Sequence, residues 1–128
     1  MTLIEAARAA QQLAYAPYSK YRVGCAIETL EGLFYTGCNI ENASYGATLC
    51  AERVAIFKAV SEGHLKFRRV VVCTDATLPA APCGLCRQVM AEFCDPDLEI
   101  ILCGAHETER RFTFAELLPH PFNQSSLV

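Results

Sequence analysis

Two short cysteine segments restrict the fold of this chain more than any other feature of its sequence. The first contains Cys50 and Glu52, and the second is a Cys-x-x-Cys pair formed by Cys83 and Cys86. Such a pair at the start of a helix brings two sulfurs close enough to share one metal ion, and the helix dipole favours their thiolate forms. For Cys50 to complete the group, the fold must bring the two segments together.

Three thiols beside a carboxylate indicate a catalytic zinc site. Zinc prefers thiolate ligands, and three protein ligands leave the fourth tetrahedral position to water, as catalytic sites require. A closed structural site would need a fourth ligand, but His64, His106 and His120 lie in loops or the tail, none at ligand spacing from a cysteine. Glu52 is suited to take a proton from the water.

Arg53 is expected to balance the charge of this site. Three thiolates on Zn²⁺ leave a net charge of −1, which weakens the metal as a Lewis acid. Arg53 lies three residues after Cys50, on the same face of a helix, so its guanidinium can reach the sulfur. Arg87, next to Cys86, is a weaker candidate for the same role.

Two other interpretations of the cysteines remain open. Cys-x-x-Cys is also the redox motif of thioredoxin-like proteins, although those need no third cysteine with an adjacent glutamate. A structural zinc that stabilises an interaction module is the other. It would be favoured if Glu52→Ala lost zinc or fold rather than turnover alone.

The composition indicates one globular domain, spanning residues 1–128, of which 52% are hydrophobic and 20% charged. The net charge of −3 provides no basic field for a nucleic acid. We expect no membrane span and no signal peptide, and therefore a cytoplasmic protein. In such a compartment the eight cysteines are more consistent with metal ligands and small buried side chains than with disulfides.

The hydrophobic pattern predicts an α/β fold: a three-layer α/β/α sandwich around a mixed five-stranded sheet. The last two strands are antiparallel, because their connection is too short for a parallel crossover. The second helix is apolar almost all round, which predicts burial between layers. Predicted helices are 2–14, with Thr2 as N-cap, 48–62, with Thr48 as N-cap, and 83–94; predicted strands are 22–29, 33–38, 69–74, 98–103 and 111–113. Both cysteine segments open helices, at the sheet edge where α/β sites form.

With these motifs in place, the chain closely resembles the small homotetrameric cytidine deaminases that bind zinc through three cysteines. The likeness covers nearly the whole chain. It is carried by residues 15–20 (YAPYSK), 37–43 (GCNIENA), 50–53 (CAER), 82–88 (PCGLCRQ) and 116–119 (ELLP). The cysteine and glutamate spacing also matches the general signature of zinc deaminases.

The resemblance implies hydrolytic deamination of cytidine and 2′-deoxycytidine, as in pyrimidine salvage. Cys50, Cys83 and Cys86 would ligate one Zn²⁺ per subunit, water activated by the metal would attack C4 of cytosine, and Glu52 would protonate N3 and help ammonia leave. The assembly implied is a homotetramer whose sites are completed by neighbouring subunits.

The resemblance also implies the substrate contacts. Asn39 and Glu41 match positions that hydrogen-bond the ribose hydroxyls, and the backbone around Ala51 helps to read the base. Tyr21 replaces a phenylalanine that often packs against the base, keeping the ring and adding a hydroxyl. The family assigns two further aromatic positions to contacts between subunits, namely Tyr45 and Phe122.

Two related enzymes are the rivals to this interpretation. A deaminase of another aminopyrimidine nucleoside would share the zinc site but lack the match at Asn39 and Glu41. A nucleic-acid deaminase would need a basic groove, which the acidic balance of the chain disfavours.

Overall fold

A mixed five-stranded sheet forms the middle layer of the computed structural model, which describes residues 1–127. Its strands are β1 (Gly24–Thr29), β2 (Phe34–Cys38), β3 (Phe67–Cys73), β4 (Glu99–Cys103) and β5 (Glu109–Thr113), in the spatial order β2-β1-β3-β4-β5. Only β3 and β4 pair in parallel; the β1–β2, β1–β3 and β4–β5 pairs are antiparallel. The predicted mixed sheet and its antiparallel final pair are confirmed.

Helices cover both faces of the sheet, as predicted for the three-layer sandwich. They are α1 (Leu3–Gln11), α2 (Ala51–Ser61), α3 (Gly84–Phe93) and the single turn α4 (Phe114–Leu117). One core cluster packs α1 against the sheet, and a second packs α2, α3 and α4 against the opposite face. The central strands β3 and β4 are apolar and largely buried, as strands covered on both faces must be.

Local sequence explains the start of α1 but not its end. Thr2 is the N-cap, and a capping box with Glu5 is present as predicted. The helix ends at Gln11 rather than at residue 14. The next residues form tight turns, with the Leu13 N–H bonded to the Ala10 carbonyl, so that Leu13 leaves the apolar stripe and is 78% exposed.

The predicted start of α2 at Thr48 was wrong. Its N-cap is Cys50, while the Thr48 hydroxyl accepts a hydrogen bond from the Asn42 N–H. The chain just before Cys50 is extended rather than helical, because Leu49 forms a β-bridge with Ile40, which follows β2. This pairing moves the N-cap two residues later than predicted and places Cys50 at the very start of the helix.

The predicted burial of α2 on all sides was also wrong. Its inner face is buried, but Phe57 is 43% exposed and Lys58 lies at the surface. In the single chain, the outward side of α2 therefore exposes Phe57 beside the charged Lys58. No helix within residues 1–127 is long and apolar enough to cross a bilayer.

Candidate active site

Three cysteine sulfurs converge where α2 and α3 begin. Cys50 is the N-cap of α2, Cys83 is the N-cap of α3, and Cys86 follows in the first turn of α3. All three sulfurs lie within 4.8 Å of one another, and within residues 1–127 this is the one metal-binding cluster of its kind. None of the three histidines belongs to it, as the sequence predicted.

The spacing of the sulfurs fits a tetrahedral zinc ion. The Cys50 and Cys83 Sγ atoms are 3.7 Å apart. Zinc–sulfur bonds of about 2.3 Å at tetrahedral angles require sulfurs about 3.8 Å apart. With three thiolates as ligands, a fourth position remains for a reacting molecule.

The surroundings of Cys50 stabilise its thiolate form. Hydrogen bonds from the Cys86 thiol and the Arg53 guanidinium lower the pKa of Cys50 to about 5. The Nη2 atom of Arg53 lies 3.3 Å from the Cys50 sulfur, as the helical spacing predicted. Arg87 is directed elsewhere, because its guanidinium donates to the carbonyls of Pro82, at 2.8 Å, and Leu117, at 2.6 Å.

Glu52 is a buried carboxyl beside the sulfur cluster. It is only 4% exposed, and burial raises its pKa to about 7, with a further increase from the Cys50 thiolate. Two residues of separation would put Glu52 and Cys50 on different faces of a continuous helix. Because Cys50 is an N-cap with extended backbone, that restriction does not apply here. A pKa near neutrality suits a group that must both accept and donate a proton.

One cavity, of about 260 Å³, connects the sulfur cluster with the polar loop that follows β2. Its walls are mostly apolar, with a few polar side chains, as is typical of small-ligand sites. The residues from the sequence analysis that line it are Tyr21, Asn39, Glu41, Cys50, Ala51, Glu52 and Cys83.

Asn39 and Glu41 are held rigidly at this cavity. The Asn39 Nδ2 donates to the Tyr21 carbonyl at 2.8 Å, and its Oδ1 accepts from the Val23 N–H at 2.9 Å. The Glu41 carboxylate accepts from the Tyr18 N–H at 3.0 Å and from the backbone and hydroxyl of Ser19. The bonds from Ser19 lower the pKa of Glu41, so it remains a carboxylate and an acceptor.

Tyr45 and Phe122 do not line this cavity in the single chain. The Tyr45 ring is 77% exposed and contacts Tyr18 edge-on, at 6.2 Å between centroids. The Phe122 ring is 59% exposed, and the Phe122 carbonyl accepts a hydrogen bond from Gln88 Nε2 at 2.8 Å. Both rings are therefore directed to the surface.

The cavity residues that the sequence analysis did not assign to the site include Thr74 and Ser19. Thr74 is buried directly after β3, and Ser19 lies in the turn before β1. A polar residue that ends an apolar strand is a signal for Thr74. For Ser19 the signal is weaker, because serine is common in turns.

Comparison with known proteins agrees with this geometry. The family described as "Cytidine and deoxycytidylate deaminase zinc-binding region" matches residues 1–102. A cytidine deaminase from Sporosarcina psychrophila is 45% identical over 125 residues, which is 98% of this chain and 92% of that protein. A cytidine deaminase from Halalkalibacterium halodurans is likewise 45% identical, over 98% and 95% of the two chains.

A solved structure extends the agreement to three dimensions. The cytidine deaminase from Burkholderia pseudomallei superposes with a TM-score of 0.91 at 46% identity, covering 95% of this chain and 100% of that one. Matches of this identity along nearly the full length share more than a fold. The chain belongs to the cytidine and deoxycytidylate deaminase family of zinc-binding proteins.

Proposed function

We propose that the protein is a zinc-dependent cytidine deaminase, which converts cytidine and 2′-deoxycytidine to uridine and 2′-deoxyuridine with release of ammonia. The reaction serves pyrimidine salvage. The observation that carries this proposal is that the sulfur cluster and the buried Glu52 share one small cavity with Asn39 and Glu41. A metal that activates water and a site for sugar hydroxyls are what hydrolytic deamination of a free nucleoside needs.

Zinc held by Cys50, Cys83 and Cys86 would supply a water molecule that loses a proton readily at neutral pH. Glu52 takes that proton and delivers it to N3 of the base, where it stays. As the C4–N bond breaks, Glu52 carries the second proton of the water from the new C4 hydroxyl to the departing amino group. The oxygen of water thereby replaces the amino nitrogen at C4, which leaves as ammonia. Burial of Glu52 supports this role, since a carboxyl with a pKa of about 7 exchanges protons in both directions.

Arg53 offsets part of the negative charge of the thiolates through its contact with the Cys50 sulfur. The positive charge of Arg53 favours the deprotonated form of the reacting water over its neutral form.

The nucleoside is oriented by the remaining cavity residues. Asn39 and Glu41 bind the sugar hydroxyls, and the aromatic ring of Tyr21 packs against the base. The backbone N–H of Ala51, the first residue of α2, has no partner within its helix and is available to the base. A free nucleoside is favoured over a nucleic acid, because the chain has a net charge of −3.

The active form is a homotetramer of single-domain chains (residues 1–128) in the cytoplasm, with sites completed by neighbouring subunits. The exposed rings of Tyr45, Phe57 and Phe122 support an assembly. Eight free cysteines, three of them metal ligands, are suited to a reducing compartment.

The test is the release of uridine and ammonia from cytidine by the purified protein, with bound zinc measured in the same sample. We expect turnover with about one zinc per chain, as one three-cysteine site implies, and loss of turnover when the metal is removed. Bound zinc without turnover of cytidine or 2′-deoxycytidine would contradict the proposed substrate. Turnover that is unaffected by metal removal would contradict the role of the metal.

A further inference from the structure

The turn before β1 is fastened to Glu41. One carboxylate oxygen, Oε1, accepts from the Tyr18 N–H at 3.0 Å and from the Ser19 N–H at 3.1 Å. The other oxygen, Oε2, accepts the proton of the Ser19 hydroxyl. Ser19 thus contacts both oxygens of the carboxylate.

The same hydroxyl holds the next residues of the turn. The Ser19 Oγ accepts from the Tyr21 N–H at 3.0 Å. Between them, Lys20 has a φ of 59°, in the left-handed region that residues other than glycine rarely adopt. Because the turn is unfavourable by itself, the bonds of Ser19 on either side help to keep it. The Ser19 hydroxyl therefore connects the position of Glu41 with that of the Tyr21 ring.

The hydrogen-bond capacity of Glu41 is almost used up by these contacts. A carboxylate offers about four acceptor positions, and the turn occupies three of them. The one that remains is on Oε2, the oxygen held by Ser19. Asn39 is similarly committed to the backbone of Tyr21 and Val23, which leaves one N–H and one acceptor position of its amide.

The free acceptor and donor positions of Glu41 and Asn39 at the same cavity suit sugar hydroxyls, which both donate and accept. The Glu41 carboxylate and the Asn39 amide must be held in place before the sugar binds, because a mobile carboxylate would lose entropy on binding. We propose that Ser19 is a positioning residue for sugar recognition, whose hydroxyl orients Glu41 toward the nucleoside and holds the Tyr21 turn against it. This inference rests on the proposed function.

The variant Ser19→Ala tests it by comparing two nucleosides. For cytidine, kcat/KM is expected to fall about tenfold, the usual effect of losing one charge-assisted hydrogen bond. The loss should be mainly in KM, since Ser19 does not contact the reacting atoms. For 2′,3′-dideoxycytidine, which lacks the 2′- and 3′-hydroxyls, the loss should be much smaller, because only the contact of the Tyr21 turn with the base is affected. That nucleoside is measured as a substrate or, if turnover is too slow, as a competitive inhibitor of cytidine turnover.

Further variants separate positioning from a general structural role. Ser19→Thr keeps the hydroxyl and should restore cytidine binding. Ser19→Cys keeps the size but donates weakly, so it should behave as the alanine variant does even if the latter folds poorly. In a Glu41→Gln background, the additional effect of Ser19→Ala on cytidine should become small. As a matched control, Ser61→Ala removes a hydroxyl that bonds only within the last turn of α2.

An equal loss for both nucleosides, or no loss for either, would overturn the role of Ser19. These results are read only with a wild-type enzyme that deaminates cytidine. Absence of cytidine turnover in the wild type would instead contradict the proposed function, so the two failures are distinguishable.

Discussion

At the scale of single residues, Glu52 is deeply buried, and its carboxyl forms no ion pair within residues 1–127. We expect Glu52→Ala to retain zinc, because the three sulfurs remain, and to lose turnover by between about 10²- and 10⁴-fold, the contribution of acid–base catalysis. Metal content and kcat measured on one preparation check this. Glu92→Gln, a change on the exposed side of α3, is the matched control. Loss of zinc in Glu52→Ala would indicate a structural role instead.

In the proposed mechanism Arg53 acts through its charge, so its replacement should change the pH dependence of the reaction. Without the guanidinium beside the Cys50 sulfur, the reacting water loses its proton less readily, and the pKa that governs activity rises. The acidic limb of the kcat/KM profile for Arg53→Ala should therefore move to higher pH, with activity at neutral pH reduced. Arg53→Lys keeps the positive charge and should move the acidic limb less than Arg53→Ala does. An unchanged profile for Arg53→Ala would contradict this role.

At the scale of elements, the close contact between β2 and α2 fixes the site. A Cβ built on Gly37 would lie 2.6 Å from both the Ala51 carbonyl oxygen and the Ala55 nitrogen. Gly37→Ala should therefore displace the first turn of α2, which carries Glu52, and cost about 1–3 kcal/mol of the free energy of unfolding, as overpacking does.

Urea denaturation and kcat measure the two effects of Gly37→Ala separately. Gly46→Ala is the control, because a Cβ at Gly46 meets no atom within 4 Å. We expect Gly37→Ala to lose both stability and turnover, and Gly46→Ala to retain its stability. If Gly37→Ala kept full stability and activity, the helix–strand contact would not determine the geometry of the site.

Features that depend on residues close together in the sequence were predicted more accurately than features that depend on residues further apart. The proximity of Cys83 to Cys86 and the contact of Arg53 with Cys50 were predictable because each depends on a single helical turn. The start of α2 was not, since Thr48 is a reasonable N-cap until the bridge between Leu49 and Ile40 is known. The positive φ at Lys20, and with it the role of Ser19, likewise depends on a bond to Glu41 across 22 residues.

At the scale of the whole molecule, the metal joins two helices from distant parts of the chain. Its removal by a chelator should lower the midpoint of thermal unfolding, since a ligand bound only by the folded state stabilises it. Removal of the metal should also make Cys50 and Cys83 reactive toward iodoacetamide. Cys50 has a lowered pKa, and Cys83 is exposed to solvent. Cys73 and Cys94 should stay unlabelled, since burial raises the pKa of each to about 12.

Mass spectrometry of the labelled peptides and a thermal melt with and without the chelator provide both readouts. Zinc added back before labelling should protect Cys50 and Cys83 and restore the melting temperature. Equal labelling of these two cysteines with and without zinc would mean that they are not its ligands.

Assembly gives the last prediction, because Phe122 is exposed and lies outside the cavity of its own chain. If it completes the site of a neighbour, Phe122→Ala and Glu52→Ala should each be impaired as homomers but complement each other when co-expressed. In a mixed complex, a chain with an intact Glu52 can receive Phe122 from the other variant. Purification through two different tags isolates such complexes, and their kcat/KM for cytidine should exceed that of either homomer. Activity no higher than that of the Phe122→Ala homomer would show that Phe122 does not act across the subunit boundary.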